Sequence, residues 1–337
     1  MSAPKLEDVA RLAGVSTASI SRALNSPEKV APETRARIEQ AVENLGYTPN
    51  FGGRALASGR ANTVGAVIPS MANAMFANAL QAFQEALSET GVNLLVATTG
   101  FDPDQEMAAI KSLVAHGAGG LMLIGNERPA ATWAFLDKRR VAHIVAWCDV
   151  ARPGSRFVGF SNKDAAADAT RRALALGHRR IAVISGRVAG NDRARARLDG
   201  VRDAVNGWGD HARITHVAEA PYLLDDGGRA FSEIMAQREK PTVVLCGNDV
   251  LAAGAMTEAR SMGLSLPADM SFVGFDDIGL ARVVHPALTT VRVPQIEIGQ
   301  AAARLLLNGV NGPGTEPSVM LETEFVDRQS LTAPCLP

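Results

Sequence analysis

Between Leu6 and Asn25 the apolar positions fall into two short helical stripes. Leu6, Val9, Ala10 and Ala13 recur at the spacing of one helix face, and Ile20, Ala23 and Leu24 repeat it after a Gly14-Val15-Ser16 interruption. Gly14 suits the positive φ that ends a helix, and Ser16 offers an oxygen to the free N–H groups of the next. A third helix is predicted from Pro32 to Leu45, with Ile38, Val42 and Leu45 turned inward and Gly46 as its stop. Lys5 and Ala31 stand at N-cap positions where a hydroxyl is usual, so both of those helix starts are expected to be weak.

From residue 62 the pattern changes to short apolar runs alternating with helical stretches. TVGAVI, NLLVATT, GGLMLI and AHIVAWC form one series, and RFVGF, RIAVIS, TVVLC and SFVGF a second. A helix over Ala79 to Thr90 separates the first two runs, with Leu80, Phe83 and Leu87 on its apolar face and Gly91 beyond it. Near-continuous apolar strands joined by helices imply parallel sheets covered on both faces, and two series imply two lobes. The expected fold is a small all-α helix-turn-helix head followed by an α/β core with two doubly wound parallel sheets.

The second helix of the head presents Thr17, Ala18, Ser21, Arg22 and Asn25 outward. Small and hydroxyl side chains allow close approach to a duplex, and Arg22 has the reach and the fork for a guanine edge in the major groove. An ordinary helical hairpin with a polar surface is the competing reading. The segment YTPNFGGRALASGRAN then reads as a linker, with Gly52 and Gly53 beside Arg54, and Leu56 between Arg54 and Arg60. Residues 1–60 carry eight Lys/Arg against six Asp/Glu, a net of +2 in a chain whose total is −1, so the remainder is −3. That asymmetry has the sign expected for phosphate contact, and its small size implies two heads per DNA site.

In doubly wound sheets ligands bind beyond the carboxyl ends of the strands. The candidates there are Ser70 to Phe76 after the first strand, Asp149 after AHIVAWC, Arg193 to Arg197 after RIAVIS, Asn248 and Asp249 after TVVLC, and Asp276 and Asp277 after SFVGF. Amides, carboxylates and an arginine facing an aromatic suit a polyol, because each hydroxyl both donates and accepts. Asp249 and Asp277 serve equally well as loop braces.

LEDVARLAGVS, SISRALN, ETRARIEQAVENLGYTPN and RALASGR resemble the DNA-binding head and hinge of the lactose/galactose repressor family, and the resemblance continues to about Leu307. It implies a periplasmic-binding-protein-like core, a DNA-contacting set of Ser16, Thr17, Ala18, Ser21, Arg22, Asn25, Tyr47 and Asn50, and a minor-groove wedge at Leu56. It also implies an effector set of Arg197, Asn248 and Asp276, covered from the other lobe by Ser70, Met75 and Phe76. Asp149 joins them as a strand-end candidate, and the Trp147 ring suits the C–H side of a sugar and the core equally well. VGFSNKDAA, SMANAMFANAL and TVRVPQIEIGQAAARLLL resemble the gluconate-repressor branch most closely, so a sugar or a sugar acid such as gluconate is the expected effector, with a neutral sugar, a sugar phosphate or a non-sugar metabolite acting as corepressor the alternative. Implied domains are 1–48 for the head, 49–61 for the hinge and 62–337 for the core. Within the core, one lobe takes about 62–161 and 292–320, and the other 162–291 and 321–337. Gly52 and Gly53 each cost the expected hinge helix roughly 1 kcal/mol relative to Ala, which makes its order depend on DNA and on a dimer.

Other classes fit less well. The core lacks GxGxxG after its first strand, a Walker loop, GxSxG and HExxH, so no enzyme motif is present. Cys148, Cys246 and Cys335 are far apart without a CxxC pair, which indicates neither zinc nor a disulfide, and no cofactor is expected. Cys148 and Cys246 read as packing residues, and His178 as a helix-ending residue near terminal carbonyls. No apolar run approaches the roughly 18 residues of a membrane span and no signal region is evident, so a cytoplasmic location is expected. The segment after Phe325 has two prolines and no heptads, so a homodimer on double-stranded operator DNA is expected rather than a tetramer. The residues leave inducer and corepressor roles both open.

Overall fold

Helices α1 (Leu6–Ala13), α2 (Thr17–Asn25) and α3 (Pro32–Leu45) build the first of two units, which divide at residues 62 and 63. The structure is a computed structural model that describes residues 4–25, 27–47, 63–150, 152–209, 211–312 and 316–335, with Asn25 and Asn311 as backbone. Asn50, Gly52, Gly53 and Leu56 of the expected hinge lie outside the described residues. Val9, Ala10, Ala13, Ile20, Ala23, Ile38 and Ala41 form the head core, with Leu6, Val15, Leu24, Val42, Leu45 and Tyr47 packed around it. Gly14 and Gly46 close α1 and α3 at φ of +67° and +60°. The start of α1 is firmer than Lys5 predicts, because the Asp8 carboxylate reaches back to accept the Lys5 N–H at 2.9 Å.

The second unit holds two six-stranded sheets. The first contains β1 (Thr63–Ile68), β2 (Asn93–Thr98), β3 (Gly120–Ile124), β4 (Ala142–Ala146), β5 (Arg156–Gly159) and β11 (Val319–Met320), in the order β11-β5-β4-β3-β1-β2 and all parallel. The second contains β6 (Arg180–Gly186), β7 (Arg213–Ala220), β8 (Val243–Cys246), β9 (Ser271–Asp276), β10 (Thr289–Arg292) and β12 (Glu324–Val326). Its order is β12-β10-β9-β8-β6-β7, parallel except where β12 runs against β10. RFVG therefore belongs to the first sheet, paired to β4 from Arg156 opposite Ile144, and not to the second series in which its apolar pattern placed it. The edge strand β7 went unrecognised in sequence because it is mostly half-buried and mixes Arg213, Thr215 and His216 with its apolar positions.

Connecting helices cover both faces: α4 (Ala74–Ser88), α5 (Pro103–Ala115), α6 (Ala130–Arg139) and α12 (Gln295–Asn311) on the first lobe. On the second lie α7 (Asn162–Ala175), α8 (Asp192–Trp208), α9 (Leu224–Ala236), α10 (Asp249–Ser261) and the short α11 (Leu280–Val283). Helix α4 starts five residues earlier than its apolar stripe indicates, because Asn73 caps it by accepting the Met75 N–H. Met75 and Phe76 are thus helical rather than in a loop. Close helix pairing rests on glycine: a Cβ on Gly299 of α12 would meet the Ala79 carbonyl of α4 at 2.3 Å. The His178 N–H bonds the Ala173 carbonyl at the end of α7, but its imidazole does not; buried completely, the ring ties Thr242 Oγ1 to the Thr332 carbonyl and so fastens the C-terminal segment to the second sheet. Burial lowers its pKa to about 4, so it packs as a neutral ring.

Candidate functional site

Two regions carry candidate chemistry, one in each unit. In the head, the Ser16 hydroxyl caps α2 through the Ser19 N–H at 3.2 Å. Ile20 and Ala23 are buried beneath it, which leaves Thr17, Ala18 and Arg22 on the outer side with Ser21. This set forms one polar face with an arginine one turn beyond small residues, the shape a recognition helix needs. Tyr47 is packed against the head core, with its N–H on the Val42 carbonyl, so packing accounts for part of its position. Asn25 is placed at the end of α2, and Asn50 and Leu56 fall outside the described residues.

In the core, a small cleft opens between the lobes. Asn73, Met75, Phe76 and Phe101 line it from the first lobe, and Asn191, Arg193, Arg197, Tyr222, Asn248 and Asp276 from the second. Asn73, Asn191 and Asn248 are the N-caps of α4, α8 and α10, so three helix N-termini converge on one space. Each brings partial positive charge. Phe101, held at φ +65°, meets Tyr222 across the cleft with ring centroids 5.7 Å apart.

Arg197 is buried and fixed by neutral acceptors. Its Nε donates to Asn162 Oδ1 at 2.8 Å and its Nη1 to the Gly247 carbonyl at 2.5 Å, while its guanidinium lies 4.0 Å over the Phe275 ring. Among the described residues no carboxylate pairs with it directly. Asp276, at φ +109° where β9 ends, is 1% exposed and its Oδ1 has no hydrogen-bond partner there. Burial pushes its carboxyl up to about 7, against the opposing pull of Arg197. Asn248 accepts the Leu251 N–H on its oxygen, and its buried Nδ2 has no partner among the described residues. A buried acceptor and a buried donor left unsatisfied in one small cleft are a ready site for hydroxyls.

The lobes meet around this space. The Asn126 N–H donates to Asp192 Oδ2 at 2.5 Å, Arg195 pairs with Glu127 at 3.0 Å, and Arg193 lies against Gly125, where a Cβ would meet its Nη1 at 1.8 Å. Arg193 is itself paired with Asp192 at 2.8 Å.

Of the residues singled out in sequence, Met75, Phe76, Arg197, Asn248 and Asp276 come together here, and Ser70, Trp147, Asp149, Asp249 and Asp277 do not line the cleft. Ser70 turns its hydroxyl to the Ala72 N–H. Trp147 sits in the core, 1% exposed, edge-on to Phe76 at 5.3 Å, and its carbonyl accepts from Asn162, the residue that also holds Arg197. Asp149 lies half-buried in a turn drawn toward the β3 loop, where Asn126 donates to the Val150 carbonyl. Asp249 and Asp277 are braces. Asp249 holds the Ile278 N–H and the Thr290 hydroxyl, and Asp277 holds Arg292 and Arg328. Burial, with the neighbouring Asp276 charge second, raises the Asp249 carboxyl well above its usual range.

Asn73 and Arg193, inside the candidate stretches Ser70–Phe76 and Arg193–Arg197, line the cleft too, and Phe101, Asn191 and Tyr222 are additional lining residues. Phe101 and Tyr222 follow β2 and β7, so the rule of searching beyond strand ends reaches them once both loops are included. Asn73 and Asn191 carry the ordinary N-cap signal. Cys148 and Cys246 are buried, and burial pushes the Cys148 thiol up to about 12 and that of Cys246 upward as well, consistent with packing. Among the described residues no His/Cys/Asp/Glu group is arranged to hold a metal ion, and no helix is long and apolar enough to cross a membrane.

Known proteins match both units. The family described as "Bacterial regulatory proteins, lacI family" matches residues 5–50, and "Periplasmic binding protein-like domain" matches residues 170–331. The transcriptional regulator GalR of Escherichia coli is 32% identical over 334 residues, covering 98% of this chain and 96% of that protein. The repressor CytR of Escherichia coli is 30% identical over 334 residues, at 98% and 97% coverage. Among solved structures, the lac repressor dimer bound to operator and the anti-inducer ONPF aligns with a TM-score of 0.84 and 25% identity, over 98% of this chain and all of that one.

Proposed function

The chain belongs to the lacI family of bacterial regulatory proteins, and from that premise we propose that it represses carbohydrate-catabolism genes as a cytoplasmic homodimer answering to a sugar acid such as gluconate. Family membership makes it a ligand-regulated, DNA-binding transcriptional repressor, and its relatives are regulators rather than enzymes. The finer reading assigns residues 1–48 to operator recognition, 49–61 to a hinge that orders on DNA, and 62–337 to ligand binding and dimerisation. Ser16, Thr17, Ala18, Ser21, Arg22, Asn25, Tyr47 and Asn50 contact the major-groove side and the backbone, and Leu56 wedges the minor groove.

One observation supports an acidic ligand: two guanidiniums and three helix N-termini face the same small cleft. Positive dipole ends and an arginine with no direct carboxylate partner among the described residues favour a carboxylate, bound as a charge-assisted fork on Arg197. Asn248 and Asp276 take hydroxyls, and the aromatic rings of Phe76, Phe101 and Tyr222 cover the C–H faces. A second reading, a neutral sugar, draws on Asp276, whose free oxygen prefers a hydroxyl donor.

Regulation follows from linkage. Ligand favours one arrangement of the lobes, that arrangement sets whether paired hinges can form on DNA, and the effect on operator affinity equals the reciprocal effect of operator on ligand affinity. The test is a thermal-shift screen of sugars, sugar acids and sugar phosphates, then calorimetry of gluconate against glucose, then operator binding with each hit. Tighter binding of gluconate and a changed operator affinity are expected. Tighter binding of glucose overturns the sugar-acid reading and leaves the repressor assignment in place.

A further inference from the structure

Behind the cleft, the chain passes between the lobes from β10 into α12, and the first residue of that helix is Gln295. It is 7% exposed and both ends of its amide are used. Its Nε2 donates to the Asp276 carbonyl at 2.7 Å, and its Oε1 accepts from Asn78 Nδ2 at 2.8 Å. Asp276 belongs to the second lobe and places its carboxyl in the cleft. Asn78 belongs to α4 of the first lobe, whose opening turn, with its cap, supplies Asn73, Met75 and Phe76 to the opposite wall. One side chain therefore joins the two walls through their backs.

The peptide it grips is an unusual one. Asp276 and Asp277 adopt φ of +109° and +52°, a region that side-chain-bearing residues rarely enter without being held. Asp277 is held by Arg292 and Arg328 within its own lobe. For the Asp276 carbonyl the short hydrogen bond comes from Gln295; the Val293 N–H is 3.5 Å away. On the other side, the close approach of Gly299 to the Ala79 carbonyl packs α12 tightly onto α4, the helix that carries Asn78.

We propose that Gln295 is the positioning residue that couples the ligand-facing Asp276 peptide to α4, fixing the relative orientation of the two lobes. A ligand that pulls on Asp276 shifts its carbonyl, and Gln295 passes the shift to α4 through Asn78. Its consequence for DNA binding rests on the lobe-orientation reading above, but the coupling itself does not depend on which ligand binds.

The test needs no ligand. Full-length protein carrying Cys335→Ser, Glu89→Cys and Arg238→Cys, spin-labelled at the two new exposed cysteines, reports the distance between lobes by pulsed electron resonance. Gln295→Glu keeps the acceptor for Asn78 but sets a carboxylate against the Asp276 carbonyl. Gln295→Leu removes both bonds, and Asn78→Ala removes one. Each is expected to add a second distance population, and Asn78→Ala combined with Gln295→Leu is expected to add nothing beyond Gln295→Leu alone, because both break the same link. A residue that only stabilised the fold would lower the unfolding midpoint without creating that population or that non-additivity. If Gln295→Leu does not fold, Gln295→Glu and Asn78→Ala decide. A distance distribution for Gln295→Glu superimposable on its parent overturns the proposal. Binding of a duplex selected from a random library by the wild-type protein is measured in parallel. A shifted distance with unchanged duplex affinity supports the coupling and refutes the lobe-orientation account of repression.

Discussion

Replacing Asp276 by asparagine should stabilise the protein, and by an amount that grows with pH. The carboxyl is buried, and its pKa rises from 3.8 in the unfolded chain to about 7 in the native state. At pH well below 3.8 both states hold the proton and the aspartate costs nothing. Between the two values the native state holds a proton that the unfolded state has released, so wild-type stability falls as pH rises, and it levels off above about 7. A shift of about three units at 1.36 kcal/mol per unit gives roughly 4 kcal/mol at the plateau. The amide of Asp276→Asn cannot ionise and keeps a similar shape. Because the Asp276 charge is also the second cause of the raised Asp249 carboxyl, removing it relieves both groups in the same direction. Urea unfolding of the two proteins at a series of pH values reads the difference directly. The variant should match wild type under acid conditions and gain several kcal/mol at neutral pH. A difference that does not change with pH would refute the assignment of Asp276 as a buried, largely uncompensated acid.

Arg22→Ala should erase roughly 1–3 kcal/mol of base discrimination per half-site without altering the melting of the head; unchanged selectivity in competition binding would remove Arg22 from the recognition set. Arg197→Ala should abolish binding of a sugar acid and Arg197→Lys restore it only in part, since an ammonium lacks the planar fork; calorimetry of both variants decides. Gly254→Ala should destabilise by at least about 1–3 kcal/mol, because its Cβ would meet the Leu224 carbonyl at 1.9 Å where α9 and α10 cross; a melting point equal to wild type would contradict that geometry. Asp8→Ala should weaken the start of α1 by roughly 1 kcal/mol, read by head-specific hydrogen exchange.

The head was legible from sequence because it is built from local signals: apolar residues at helical spacing, glycines at φ of +67° and +60°, and a serine cap, all within a few residues of the helices they shape. The two-lobed core was legible as strands and helices, but strand membership was less so. RFVG reads as apolar in either sheet, and only its pairing with β4, set by tertiary packing, assigns it. The cleft divides the same way. Asn248 caps a helix and Asp276 ends a strand, where local rules point, and Arg197 follows in the second turn of α8. Trp147 stands at a strand end too, yet its bulk is spent on Phe76 and the core. Phe101 and Tyr222 become neighbours only when the lobes meet, more than a hundred positions apart in the chain.

The distribution of satisfied and unsatisfied groups sharpens what the cleft selects. The lobe-to-lobe contacts around it are paired: Asn126 with Asp192, Glu127 with Arg195, Gln295 with both walls. Within the cleft, Asn248 Nδ2 and Asp276 Oδ1 are buried and unpaired. Leaving a buried polar atom unsatisfied costs about 1–3 kcal/mol, so a ligand gains most by meeting these two and little by adding to contacts already made. A ligand that lacks a donor for Asp276 leaves that cost in place and, if it carries a carboxylate there, adds repulsion. On the reading proposed above, discrimination among ligands of equal size rests on which donor faces Asp276, and the guanidinium of Arg197, held 4.0 Å over Phe275, favours a ligand that carries negative charge.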